Sequence, residues 1–143
     1  RSTKNAPFFN GMILETLLAL TPIDYDHLAR AVKVEAASNT MDEYCVAVSI
    51  LNRVRSPLYP NTVAGVVYAP GQYEGFRYWR PVASTTLVNE FKSDKGRENF
   101  LKAYSIIGDR TNFKGQSMLR YRVASEDPMC HTRGNFYHHY WQS

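Results

Sequence analysis

The sequence predicts a mostly helical α+β domain with a small antiparallel β element near its C-terminus. Three observations support this: apolar residues recur at helical spacing in most of the first 107 positions, Pro and Gly punctuate residues 57–81, and short alternating stretches follow residue 108. A chain of 143 residues can bury one core. Since no repeat or linker is visible, residues 1–143 are predicted to form a single domain, with residues 1–22 as an N-terminal helical extension.

The first two predicted helices precede residue 38. The first runs from Phe8 to Leu20 and stops where Pro22 prevents the helical ladder from continuing. For the second, Asp24 is the predicted N-cap, because its short carboxylate can accept a bond from the first turn. The apolar periodicity continues to about Ala37, which is the predicted end of this helix.

The third predicted helix covers Asp42 to Arg55 and is apolar nearly all round, which is typical of a central helix. The spacing of Thr40 and Glu43 predicts a capping box at its start. Cys45 lies in its apolar middle, so a buried free thiol is the simpler interpretation. A disulfide to Cys130 stays open, since the spacing alone does not indicate it.

The rest of the chain predicts shorter elements. Thr62 to Tyr68 suits a helix or a strand, whereas Asp94 to Ile107 is an amphipathic helix with Gly108 as its C-cap. Met118 to Val123 and Asn135 to Trp141 alternate like strands, and the polar loop between them favours an antiparallel pair.

The charge balance favours anionic partners only mildly. Lys and Arg number 17 against 13 Asp and Glu, a net charge of +4, and no run of five basic residues indicates nucleic-acid binding. No apolar stretch approaches the roughly 18 residues of a membrane span. The chain starts at Arg1, no signal peptide is visible, and a monomer is expected.

Glu35 is the main candidate for a catalytic residue. It shares a predicted helix face with Leu28 and Val32, where loss of hydration raises the pKa of a carboxyl group. A carboxylic acid that stays protonated near neutral pH can protonate a leaving oxygen, as glycosidic cleavage requires. The alternative is a glutamate at a helix end that reaches solvent or pairs with Arg30 or Lys33.

Several segments of the sequence then carry a family resemblance. In chain order they are Leu28–Val32, Glu35–Ala36, Val46–Val54, Ser56–Val67 and Pro70–Tyr73. Together they resemble the SleB/CwlJ cell-wall hydrolase family, closely over about residues 26–76 and loosely as far as Trp141. The chain departs from the family pattern at Lys33-Val34, where Tyr-Gly is usual, and in the shuffled aromatic and His residues of 134–139.

The resemblance implies a fold similar to lysozymes and lytic transglycosylases, with Glu35 as the catalytic acid and peptidoglycan strands as substrate. Classical glycosidases use two carboxylates, whereas a lytic transglycosylase works with one and leaves a 1,6-anhydromuramyl end. We therefore expect transglycosylation. Hydrolysis as a muramidase or glucosaminidase stays open if Glu74, Glu126 or Asp127 lies across the cleft.

Amide and aromatic side chains are candidates for holding the sugars, because amides bind hydroxyl and acetamido groups and aromatic rings pack on pyranose faces. The candidates are Asn52, Gln72, Tyr73, Phe76, Trp79 and Tyr121. Each aromatic residue could equally belong to the core, and the Asn52 amide could brace a loop instead.

No cofactor or metal is predicted. Four possible ligands lie close in sequence, namely Cys130, His131, His138 and His139. Adjacent strand residues point to opposite faces, so His138 and His139 do not suit one ion. A zinc amidase and a non-catalytic wall-binding or virion module are the remaining alternatives. Any of these functions would be exercised at the bacterial cell wall, in the periplasm, outside the cell or delivered by a phage.

Overall fold

The computed structural model describes residues 6–73, 85–115, 128–134 and 136–142. The helices in these ranges are α1 (Ala6–Ala19), α2 (Pro22–Glu35), α3 (Met41–Arg55), α4 (Val63–Val67), α5 (Thr85–Lys92) and α6 (Asp94–Ile107). The strands are β1 (Asn112–Gly115), β2 (Met129–His131) and β3 (Tyr137–Trp141). The predicted class, α+β and mostly helical, is confirmed. None of the described helices is long and apolar enough to cross a membrane.

Helix α2 starts earlier than predicted. Thr21 is its N-cap, and the Thr21 hydroxyl accepts the Asp24 N–H at 3.3 Å while the Asp24 carboxylate accepts the Thr21 N–H at 2.9 Å. The prediction of Asp24 as N-cap is therefore wrong, because Asp24 is the acidic partner of a capping box and Pro22 takes the first helical position. The helix ends at Glu35, since Ala36 adopts an extended backbone.

Helix α3 is the central element, as predicted, and packs against α1, α2, α4, α6, β1 and β2. The capping box predicted at its start does not form. The Thr40 hydroxyl donates to the Ala37 carbonyl at 2.8 Å, and Glu43 accepts the Asn39 N–H at 3.0 Å. The positive φ of Asn39, 62°, turns the chain so that Glu43 reaches this upstream amide instead.

The remaining helices match the sequence in part. Residues Val63–Val67 form a helix, which decides a choice that the sequence left open, and the Thr62 hydroxyl caps it by accepting the Gly65 N–H at 3.0 Å. Helix α6 has the predicted bounds, and Gly108 ends it with a φ of 60°. Helix α5 was not predicted, and it buries Leu87 and Phe91.

The small sheet has the order β1-β3-β2 and is antiparallel throughout. Its central strand β3 falls within the predicted strand Asn135–Trp141. The predicted partner, Met118–Val123, lies outside the described residues. In the described part, β3 pairs with β1 and β2, strands of four and three residues that are too short to show an alternating pattern.

The last turns of α3 hold the start of the sheet. The Asn52 amide donates to the carbonyls of Gly108 and Arg110, both at 2.8 Å. The Arg53 guanidinium donates to the Thr111 carbonyl at 2.7 Å and to the Asn112 side chain at 3.2 Å. Polar residues at the end of a buried helix therefore fix the turn that leads from α6 into β1.

A disulfide bond joins Cys45 in α3 to Cys130 in β2. The expectation of a buried free thiol is therefore wrong. The packing of β2 against α3 brings the two Cα atoms to 6.6 Å across 85 residues of sequence, a proximity that spacing does not reveal. Disulfides persist in oxidising compartments, which agrees with action at the cell wall.

Loss of this disulfide should destabilise the fold. Because it closes a loop between residues 85 positions apart, the Cys45→Ala/Cys130→Ala variant should lose about 2–5 kcal/mol in the free energy of unfolding. Urea denaturation measures this. A reductant should destabilise the parent and leave the double variant unchanged. Equal midpoints for the oxidised and the fully reduced parent would contradict the prediction.

Glu43 should make the fold less stable as the pH rises. Burial, followed by the nearby Glu90 charge, raises the pKa of Glu43 from 4.5 to about 7. The folded state therefore keeps a proton that the unfolded chain releases, and its stability falls as the pH rises through this interval. Glu43→Gln should be about 1–3 kcal/mol more stable than the parent at pH 8 and similar to it at pH 4. Urea denaturation at both pH values measures this, with the exposed Glu98→Gln as control.

Candidate active site

Glu35 lies at the C-terminal end of α2 and lines a groove of about 260 Å³. One wall of the groove is the end of α2 and the following loop, and the other is formed by β1 and the β2–β3 hairpin. Its lining residues are Lys33, Val34, Glu35, Ala36, Ala37, Gly115, Thr132, Arg133, Phe136, Tyr137 and His138. The carboxylate predicted from helical spacing therefore borders open space large enough for part of a ligand.

The surroundings of Glu35 favour its protonated form. Burial raises the pKa of Glu35, the charge of His138 lowers it, and the charge of Asp42 raises it again. Leu28 and Val32, the apolar neighbours on the same helix, are fully buried. The predicted rise in the pKa of Glu35 is confirmed, and desolvation is its main cause, as the sequence indicated.

A buried carboxylate stands behind the groove. Asp42, in the first turn of α3, is fully buried, and its two oxygens accept bonds from His138 Nδ1 at 2.5 Å and from the Tyr140 hydroxyl at 2.6 Å. A helix N-terminus suits a negative charge, so Asp42 is well placed to hold the His138 ring. The groove therefore contains a carboxyl group and an imidazole held by a second carboxylate.

The loop after Glu35 is tied to the sheet. The Ala37 N–H donates to the Thr132 hydroxyl at 3.0 Å, and Thr132 is buried next to strand β2. This bond joins the two walls of the groove directly beside Glu35. The width of the groove is therefore set by the fold.

The groove has one carboxylate among its described lining residues, namely Glu35. Asp42 is buried behind His138 with both oxygens bonded, so it cannot activate a water on the far side of a sugar. The three acidic residues considered for hydrolysis, Glu74, Glu126 and Asp127, lie outside the described residues.

Asn52 and Gln72 are not among the residues that line this groove. Asn52 is about 15 Å along α3 from Asp42 and braces the turn after α6 through both of its amide N–H bonds. The Gln72 side chain accepts from Arg53 Nη1 at 3.0 Å. The loop-bracing alternative therefore describes the geometry of Asn52, while a sugar contact for either amide stays a prediction.

Tyr73 lies in the core behind the groove. Its backbone has a φ of 48°, its side chain is 7% exposed, and its ring centroid lies 6.4 Å from that of Phe113. Burial raises the pKa of Tyr73 to about 12, with a further rise from the charge of Glu35, so the two groups are in electrostatic range. Its buried hydroxyl makes no hydrogen bond of ordinary geometry to the described residues, although the nearby Ser49 side chain lowers the pKa of Tyr73.

The other sugar-binding candidates, Phe76, Trp79 and Tyr121, lie outside the described residues, and their roles stay predictions. The structure adds two aromatic residues that the sequence analysis did not select: Phe136, 58% exposed, and Tyr137, both lining the groove. It also adds two cations, Lys33 and Arg133. Phe136 and Tyr137 are therefore further candidates for contacts with a ligand, and only the fold reveals that they border the groove.

No group of three or more His, Cys, Asp or Glu side chains suited to a metal ion occurs among the described residues. Three of the four ligands weighed from the sequence are engaged otherwise. Cys130 forms the disulfide, His138 bonds to Asp42, and His131 Nε2 bonds to the Gly134 carbonyl.

Comparison with known proteins identifies the family. The family model for cell wall hydrolases matches residues 38–135, more than two thirds of the chain. The chain belongs to the cell wall hydrolase family. It is therefore an enzyme that acts on peptidoglycan, as the sequence predicted. The matched range starts three residues after Glu35, so the match itself does not include the proposed catalytic residue.

Two solved structures have a similar fold. The catalytic domain of the germination-specific lytic transglycosylase SleB from Bacillus anthracis superposes with a TM-score of 0.56 at 19% identity, over 87% of this chain and 98% of that one. The catalytic domain of the Bacillus cereus SleB protein gives 0.57 at 18% identity, over 87% and 93%. The predicted SleB-like fold is confirmed. No protein of curated function matches the chain.

Two hydroxyl deletions should differ in their effect on stability. Tyr140→Phe removes a donor from the buried Asp42 carboxylate and should lower the free energy of unfolding by about 1–3 kcal/mol. Tyr73→Phe removes a hydroxyl that makes no hydrogen bond of ordinary geometry to the described residues and should leave stability unchanged or slightly higher. Urea denaturation of the two variants tests this, and an equal loss in both would show that the Tyr73 hydroxyl is bonded.

Proposed function

We propose that this protein is a peptidoglycan lytic transglycosylase in which Glu35 acts first as acid and then as base. The observation that carries the proposal is a half-buried carboxyl group, with its pKa raised by burial, that lines an open groove. The fold shared with SleB catalytic domains, one of which is a lytic transglycosylase, supports it.

In the first step the Glu35 carboxyl gives its proton to the oxygen that bridges two sugars. The bond from this oxygen to C1 of the muramyl residue breaks as the proton arrives. The muramyl N-acetyl group supports the developing positive charge at C1 from within the substrate. An acid kept neutral by desolvation suits this step, because it still holds its proton near neutral pH.

In the second step the Glu35 carboxylate takes the proton of the C6 hydroxyl as that oxygen attacks C1. The product is a 1,6-anhydromuramyl end, and Glu35 is protonated again. No water enters the reaction, so no second carboxylate is needed to activate one. This agrees with a groove in which Glu35 is the one acidic side chain among the described lining residues.

The groove lining suits a glycan strand that carries peptide stems. The exposed ring of Phe136 and the partly buried ring of Tyr137 offer apolar faces for the sugars. Lys33 and Arg133 border the same groove and suit the carboxylates of the stems. Proton transfer supplies about 10²–10⁴-fold of the acceleration, so the rest must come from holding the sugars in a reactive arrangement.

Glu35→Gln should abolish the release of fragments from purified sacculi, with a loss of at least about 10²–10⁴-fold in rate. Glutamine keeps the size of the side chain but has no proton to donate. Glu43→Gln is the matched control, because it makes the same change at a buried residue that does not line the groove, and it should stay active.

Mass spectrometry of the parent's products decides between the reaction types. Anhydromuramyl ends support the transglycosylase, whereas reducing ends would show hydrolysis. Cleaved peptide amides would identify an amidase. Binding of the parent to sacculi without any released fragment would show a wall-binding module instead.

A further inference from the structure

His138 faces the groove from the middle strand of the sheet. In β3 it stands opposite Gly115 of β1 and Cys130 of β2. Its side chain is 13% exposed, and it lines the groove together with Glu35. The absence of a side chain at Gly115 keeps the ring uncovered, since a Cβ there would lie 3.8 Å from His138 Cδ2.

The ring of His138 is held in one orientation. Nδ1 bonds to Asp42 at 2.5 Å, and Asp42 is fixed in turn by the Tyr140 hydroxyl at 2.6 Å. The ring also packs against Phe113, at 5.0 Å between centroids. Nε2 has no hydrogen-bond partner among the described residues, so it is the ring nitrogen left for the groove.

Between the two proposed steps, the ionised Glu35 carboxylate requires a neighbouring positive charge. After the first step its carboxylate is ionised in a site where burial disfavours charge. A protonated imidazole has an N–H on each nitrogen, so one ring can donate to two carboxylates at once. His138 already donates on one side to Asp42 and stands in the same groove as Glu35.

We propose that His138 is the positioning residue for Glu35: with its ring fixed by Asp42, it presents a positively charged Nε2–H to the Glu35 carboxylate in the interval between the two steps. The proposal rests on the proposed function, because the interval exists only if Glu35 acts as acid and then as base. His138 itself makes and breaks no bond to the sugar.

The other charged groups around Glu35 do not replace His138. Lys33 and Arg133 border the groove but are exposed, and the charge of Lys33 also acts on Glu43. Asp42, Tyr73 and Tyr140 are in electrostatic range of Glu35, and they add negative charge or none. In agreement, burial raises the pKa of Glu35, the charge of His138 lowers it, and that of Asp42 raises it.

The test compares pH–rate profiles for sacculus cleavage by the parent, His138→Gln and His139→Gln. His139 is the matched control, since it is the next residue of the strand and points to the other face. Without the His138 charge the pKa of Glu35 rises, so the alkaline limb of activity should move to higher pH. In the same variant kcat should fall at least about tenfold, with KM within about threefold.

The control, His139→Gln, should keep its alkaline limb at the same pH as the parent, and its kcat should be within about twofold of the parent's. A merely structural role for His138 would lower the unfolding temperature and scale activity equally at every pH. An unshifted limb in a folded His138→Gln variant would therefore overturn the proposal. If His138→Gln unfolds at a low temperature, its pH–rate profile is measured below that temperature, so that the position of the alkaline limb can still be determined.

Asp42→Asn adds a second reading. The charge of Asp42 itself raises the pKa of Glu35, so Asp42→Asn in the His138→Gln background should move the limb to lower pH. In the parent background the loss of the bond that holds His138 opposes this change, so the limb should move less far down or should move up. An equal shift in both backgrounds would show that Asp42 does not act through His138 and would count against the proposal. Failure of the proposed function is recognised separately, because then the parent itself releases no anhydromuramyl fragments.

Discussion

The hydrogen bonds that Asp42 accepts from strand β3 join the central helix to the sheet at the groove. One carboxylate at the start of the central helix takes both His138 and Tyr140, and so fixes the strand that forms one wall of the groove. The other wall is the end of α2, which packs on the same helix. Glu35 and His138 therefore line the same groove, and the position of His138 depends on α3 through Asp42. A substitution at Asp42 is expected to affect both walls of the groove.

Local periodicity was enough to predict helices α2, α3 and α6 and to single out Glu35 on a buried helix face. Helices α2, α3 and α6 bury residues that recur at helical spacing, so their approximate bounds follow from the sequence. The raised pKa of Glu35 follows from the same spacing, because Leu28 and Val32 occupy the buried face next to it. The helix caps were harder to predict, because polar residues close to Thr21 and Asn39 suit the same capping roles in the sequence.

Contacts between distant residues could not be predicted in this way. His138 and Asp42 are 96 positions apart, and Cys45 and Cys130 are 85 apart, so no local pattern links them. The short strands β1 and β2 add to this difficulty, because they carry too few residues for a period to appear. As a result the sequence singled out Glu35 but gave no sign that the His138 imidazole lines the same groove, and it treated His138 only as a possible metal ligand.

In the proposed mechanism one carboxyl group gives and then takes a proton, which requires opposing influences on its pKa. Burial alone would keep Glu35 protonated and leave it a poor base, whereas an exposed glutamate would ionise too early to be an acid. Around Glu35, desolvation acts in one direction and the His138 charge in the other. Because Asp42 bonds to His138 and Tyr140, the proposed balance between acid and base would depend on the attachment of β3 to α3, far in sequence from the helix that carries Glu35.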